Sequence, residues 1–167
     1  MNFNDLSLHA LARAETMAEQ FARGQGEQVL AEIDAAAGLP AGAAYCAATM
    51  VACFKMAGHC PWLGDGAMDW VPSLLAWGTA QGIRQGPPGY TPAAGDLVIF
   101  GGGDHVGIVR VGATATEVPT IEGNTSAAGN GGPTGIYRRM QYASAGWISD
   151  YIAWPAAAVP GFPGPAT

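Results

Sequence analysis

The chain has little charge: Asp, Glu, Lys and Arg supply only 12% of its 167 residues, and Lys55 is the single lysine. An ordinary soluble domain carries about 25% charged residues. With a net charge of -6, no basic stripe is left to neutralise a phosphate backbone, which excludes nucleic acid as a partner. Long apolar runs are also missing. The longest, Ala41 to Phe54, is broken by Lys55 and falls short of the roughly 18 to 20 residues a membrane span needs. At the N-terminus Asn2, Asp5, His9, Arg13 and Glu15 interrupt any apolar stretch, so no secretory signal is expected. Cysteine is scarce and odd in number, at Cys46, Cys53 and Cys60. Two cysteines seven residues apart on one helix stand about 10 Å from each other, beyond disulfide reach, so free thiols are expected. Cys46, Cys53, His59 and Cys60 lack the short knuckle spacing of structural zinc, and no metal or other cofactor is expected. Large aliphatic side chains are few, which at high net charge would mean disorder. Here the charge is modest, hydrophobic residues make up 49%, and five Trp and five Tyr supply bulk. One domain of small-residue helices around aromatic anchors follows.

Residues 5 to 23 carry Leu8, Leu11, Ala14, Ala18 and Phe21 at helical spacing, stopped by Gly24. A second helix over 27 to 37 is expected to bury Leu30, Ile33 and Ala37. From Tyr45 to Ala57 nearly every side is small or apolar, the signature of an enclosed helix, with Cys46 in its first turn. Pro72 opens a short helix ending near Ala80. The character then changes to short β-branched or aromatic segments at 97–100, 106–111, 117–121, 136–142 and 148–152, parted by glycine-rich turns. Helices followed by a meandering antiparallel sheet make an α+β fold rather than an alternating parallel one.

A cysteine in the first turn of a buried helix is placed for nucleophilic chemistry. Unpaired amides and the helix dipole favour a thiolate there, and the same amides can donate to an oxyanion. His105 opens an apolar strand after Gly101-Gly-Gly-Asp104 and is a candidate base. Glu122 and Asn124, at i and i+2, share one face of a regular strand, and either could orient the imidazole. Gly101 to Gly103 leads into a strand and lacks the Lys-Ser/Thr of a phosphate-binding loop, so it reads as a hairpin turn. Trp62, Trp70 and Trp77 fit either a substrate groove or core anchoring.

Four segments resemble the CHAP family, the cysteine, histidine-dependent amidohydrolases/peptidases of phage lysins and bacterial cell-wall hydrolases. They are Ala44-Tyr-Cys-Ala-Ala-Thr-Met-Val51 leading into Ala57-Gly58, Pro92-Ala-Ala-Gly-Asp-Leu-Val-Ile-Phe100, Asp104-His-Val-Gly-Ile-Val109 and Ile121-Glu-Gly-Asn-Thr125. The resemblance implies a papain-like fold with the cysteine on a buried helix packed against an antiparallel sheet. It implies Cys46 as nucleophile, His105 as base and then acid, Glu122 and Asn124 completing the site, and bacterial peptidoglycan as substrate. Tyr45, Trp70 and Asp104 are candidates for substrate contact. Some relatives carry an Asp-rich calcium loop before the nucleophile, whereas 35–44 has no carboxylate here, so calcium is not expected.

The expected role is that of an endolysin catalytic domain, acting as an N-acetylmuramoyl-L-alanine amidase or an endopeptidase. It would accumulate in the host cytoplasm and act at the cell wall as a monomer. A secreted interbacterial amidase toxin and a non-catalytic wall-binding module are the rival readings. Residues 1–154 read as the catalytic domain, and 155–167, with four prolines, as a linker to a further wall-binding domain.

Overall fold

The computed structural model describes residues 3–39, 45–58, 70–126 and 134–154. Four helices, α1 (Phe3–Ala22), α2 (Gly26–Ala37), α3 (Cys46–Ala57) and α4 (Val71–Ala80), precede the strands of the sheet. The strands are β1 (Arg84–Gln85), β2 (Leu97–Phe100), β3 (His105–Val109), β4 (Glu117–Ser126), β5 (Thr134–Tyr142) and β6 (Ile148–Ile152). The architecture is α+β, as expected. His59, Cys60, Trp62 and the expected linker at 155–167 lie outside the described residues.

All strand pairings are antiparallel, in the order β1-β6-β2-β3-β4-β5. β2 to β5 form the expected meander, but β6 leaves it. After the short turn Ala143–Ala145 the chain crosses back to pair with β2, and β1 adds to the far edge. Two residues of β1, both exposed, leave no hydrophobic pattern, which is why the sequence does not announce this strand.

Helix α3 is the centre of the molecule. Ala47 through Phe54 are buried without a break, because α1 and α2 pack against it from outside and β3 and β4 from the other side. Alanines at 47, 48 and 52 let these neighbours approach closely, while Met50, Val51 and Phe54 contribute about 1.5–3 kcal/mol each on burial. The face of α1 that enters this core is Leu6, Ala10, Leu11, Ala14, Met17 and Ala18, with Leu8 turned outward. In α2 it is Val29, rather than Leu30, that is fully buried beside Ile33 and Ala37.

Strand alternation divides the apolar side chains between the two faces of the sheet. Leu97, Ile99, Val106, Ile108, Ile121 and Ile152 join the helices, whereas Val98, Phe100, Val109, Val118, Ile148 and Tyr151 form a second, smaller cluster. Glu15 of α1 ties helix to sheet by accepting from Arg110 Nε at 2.5 Å and Arg138 Nε at 2.6 Å. Trp77 is partly buried against Trp154, with ring centroids 5.9 Å apart, and serves as a core anchor.

Candidate active site

Cys46 is the first residue of α3 and is half-buried with a free thiol. Tyr45 precedes it, and no side chain caps the helix among the described residues. First-turn amides, which have no partner within a helix, therefore remain as donors beside Cys46 Sγ. Thr49, one turn on, donates from Oγ1 to the Tyr45 carbonyl at 2.5 Å and fixes the start of the helix. Seating α3 on β4 depends on Gly123. A methyl group there would collide with Thr49 Oγ1 and lie 2.8 Å from Thr49 Cβ.

His105 begins β3 at the end of the hairpin turn 101–104. Its ring stacks on Phe100, its cross-strand partner, with centroids 5.6 Å apart and planes 28° from parallel. Phe100 in turn stacks on Trp147 at 6.2 Å. His105 Nε2 lies 3.0 Å from Glu122 Oε2, and the imidazole is close enough to Cys46 for the two groups to interact electrostatically. With Nε2 committed to the carboxylate, Nδ1 is left for the thiol.

Glu122 reaches His105 because its partner across the β3–β4 ladder is Gly107, whose missing side chain leaves room for the carboxylate stem. The other oxygen, Oε1, accepts from Thr120 Oγ1 and Gln141 Nε2, both at 2.6 Å. Burial opposes the charge on Glu122, but the bonds from His105, Thr120 and Gln141 outweigh it and hold the carboxyl below the usual range. Burial likewise opposes charge on His105. Interactions with Cys46 and with the Glu122 carboxylate overcome it and raise the imidazole to about 9. The site therefore holds an imidazolium at neutral pH.

Of the two residues that could have oriented His105, Glu122 makes the contact. The pairing of β4 with β5 shifts between Glu122 and Thr125, and Asn124 adopts a left-handed φ of 55°, so the simple alternation expected at i and i+2 is broken. Asn124 instead lines a cleft of about 300 Å³ together with His105, Glu122, Thr125, Arg139, Gln141 and Trp147. Tyr45 is buried, and burial pushes its hydroxyl above the usual tyrosine range. Trp70, 67% exposed, immediately precedes α4, whose Pro72 approaches Gly103 of the turn that carries the exposed Asp104. Tyr45, Trp70 and Asp104 are not among the described residues lining the cleft.

The contributions of Thr120, Gln141, Arg139 and Trp147 escaped sequence reasoning. Thr120 carried a readable signal, since it lies two residues before Glu122 on one strand. Gln141, Arg139 and Trp147 depend on cross-strand pairing and on the return of β6, which no local pattern specifies. Among the described residues no group of three or more His, Cys, Asp or Glu side chains is arranged to hold a metal.

No curated protein and no solved structure matches the chain. The sequence model of the CHAP domain, however, matches residues 38–124, more than half of the chain, a stretch that runs from just before Cys46 through His105 to Glu122. The chain belongs to the CHAP domain family, whose members are typically cysteine, histidine-dependent amidohydrolases and peptidases.

Proposed function

We propose that this chain is a peptidoglycan hydrolase that cleaves an amide bond with Cys46 as nucleophile, His105 as general base and acid, and Glu122 as the residue that orients and charges His105. The observation that carries this reading is the position of the imidazole. His105 is bonded at Nε2 to a buried carboxylate and sits where it interacts with Cys46, the thiol in the first turn of a helix.

Cys46 Sγ attacks the carbonyl carbon, and the developing oxyanion is held by first-turn amides of α3. Collapse of the tetrahedral intermediate breaks the C–N bond, and the imidazolium gives its proton to the leaving amine. His105, now neutral, takes a proton from water. The resulting hydroxide displaces the thiolate from the thioester, and the proton on His105 restores the ion pair. Glu122 stays ionised throughout and keeps the ring in one orientation, as an orienting carboxylate does in other triads. Asn124 completes the site from the cleft wall, and Tyr45, Trp70 and Asp104 serve substrate contact around it.

The finer reading is an endolysin catalytic domain, acting as an N-acetylmuramoyl-L-alanine amidase or an endopeptidase. In this reading residues 1–154 are the catalytic unit, 155–167 tether a wall-binding domain, and the enzyme is monomeric. The test is mass spectrometry of soluble products from purified peptidoglycan digested by wild type and by Cys46→Ala. Fragments from wild type alone are expected, with the mutant slower by at least about a thousandfold and still folded. Their masses separate amidase from endopeptidase cleavage. Silence from wild type across several wall chemistries would overturn the hydrolase in favour of a binding module.

A further inference from the structure

The cleft beside His105 holds a cation that the fold does not neutralise. Arg13, Arg23, Arg84, Arg110 and Arg138 each lie within 4.0 Å of a carboxylate. Arg139 is the exception among the described residues. Its partners are neutral: Nη1 donates to Thr125 Oγ1 at 3.2 Å and to the Ser126 carbonyl at 2.9 Å. These two bonds anchor one corner of the guanidinium and leave the Nε and Nη2 donors without a partner among the described residues. That edge is the one that pairs bidentately with a carboxylate.

The charges around it make an anion the fitting occupant. Glu122, the acidic residue lining the cleft, is committed to His105, Thr120 and Gln141. Arg139 is half-buried on the same wall, so a carboxylate reaching it would be partly shielded from water, where the pairing is stronger than at an open surface. Arg139 also lies outside the residues that match the family, 38–124.

Building on the hydrolase reading, we propose that Arg139 binds a free carboxylate of the peptidoglycan stem peptide. It thereby selects stems whose carboxyl groups are not amidated. The anion must lie on the peptide itself, since the cleft abuts the reacting groups; a phosphate on a neighbouring wall polymer would not be carried there with the scissile amide.

The test uses soluble muropeptides of defined composition: one with all stem carboxylates free, and others with a single carboxylate converted to its amide, at the side chains or at the C-terminus in turn. For wild type, one amidation is expected to lower kcat/KM by about tenfold to a hundredfold, the range for a hydrogen-bonded charge, and its position names the carboxylate. R139M should lose this preference, its kcat/KM for the free stem falling toward that for the amidated stem. R139K, which keeps the charge without the fork, should retain part of it. Equal cleavage of all stems by wild type would overturn the proposal, as would an R139M that loses free and amidated stems alike, which is the mark of a structural role for the Thr125 and Ser126 bonds. Failure of wild type to cleave any muropeptide or whole peptidoglycan would instead overturn the hydrolase reading on which this one rests.

Discussion

Replacing Gly107 with alanine perturbs the site through a residue that touches no reacting group. A Cβ at position 107 would stand 2.8 Å from Glu122 Cγ and 3.0 Å from the Ile121 carbonyl oxygen. Carbon–carbon contacts settle at about 3.5–4.0 Å, so the glutamate stem must retreat by roughly 0.7–1.2 Å. Thr120 and Gln141 grip Oε1 at 2.6 Å each, which leaves the 3.0 Å bond from Oε2 to His105 Nε2 as the weaker constraint. Carried through to Oε2, the retreat stretches that bond toward about 4 Å, past any useful hydrogen bond. Overpacking costs about 1–3 kcal/mol, offset in part by the roughly 0.5–1 kcal/mol that alanine gains over glycine in a strand. The net cost, at most about 2.5 kcal/mol, lowers Tm by no more than roughly 10 °C. A 1 Å misplacement of this kind lowers kcat/KM by about a hundredfold. His105, losing its hydrogen bond and much of the carboxylate's charge, should titrate below its wild-type value of about 9, moving the alkaline limb of the pH–rate profile toward neutrality. The assay is kcat/KM from pH 5 to 10 with a thermal melt of the same samples. A folded Gly107→Ala protein with near wild-type rate and an alkaline limb still at about 9 would refute the reasoning.

Other perturbations bear on the same network. Gln141→Leu removes a donor that helps to hold Glu122 ionised, so kcat/KM should fall by about tenfold and the acid limb of the profile should move to higher pH; an unmoved acid limb counts against the role given to Gln141. Iodoacetamide near neutral pH should label Cys46 well before Cys53, which is fully buried and whose thiol burial pushes up to about 12; peptide mapping that finds Cys53 labelled first would contradict the site. Because His105 is raised above its ordinary 6.5, the stabilisation it contributes is complete below about 6.5 and is lost as pH rises through about 9. Urea midpoints should therefore fall over that window in wild type and hold flatter in His105→Gln; parallel curves would show that His105 and Glu122 are not coupled.

Much of this arrangement is legible before any coordinates. The enclosed helix from Cys46 was readable because small and apolar residues occupy every side of it, and β2 and β6 because short β-branched runs are set off by turns. Cys46 and His105, the proposed nucleophile and base, stood out as candidates for a similar reason: a cysteine at a helix start and a histidine at a strand start declare themselves in one dimension. Glu122 against Asn124 was not decidable, since the answer turns on a register shift and a left-handed backbone at Asn124. The positions of Gln141 and Arg139 were hidden for a related reason. Their side chains act across a strand pairing whose register is set jointly by β4 and β5, and neither strand carries that information alone.

The division of labour along the chain has a consequence for how members of this domain family can diversify. The thiol, imidazole and carboxylate come from residues 46 to 122, whereas Arg139 and Trp147 in the wall of the cleft come from β5 and the turn before β6. Exchanging the segment from β5 through the turn before β6 between homologues, with Gln141 retained, replaces this wall of the cleft while Cys46, His105 and Glu122 keep their places. Selectivity can thus drift, or be engineered, as a cassette separate from the chemistry it serves.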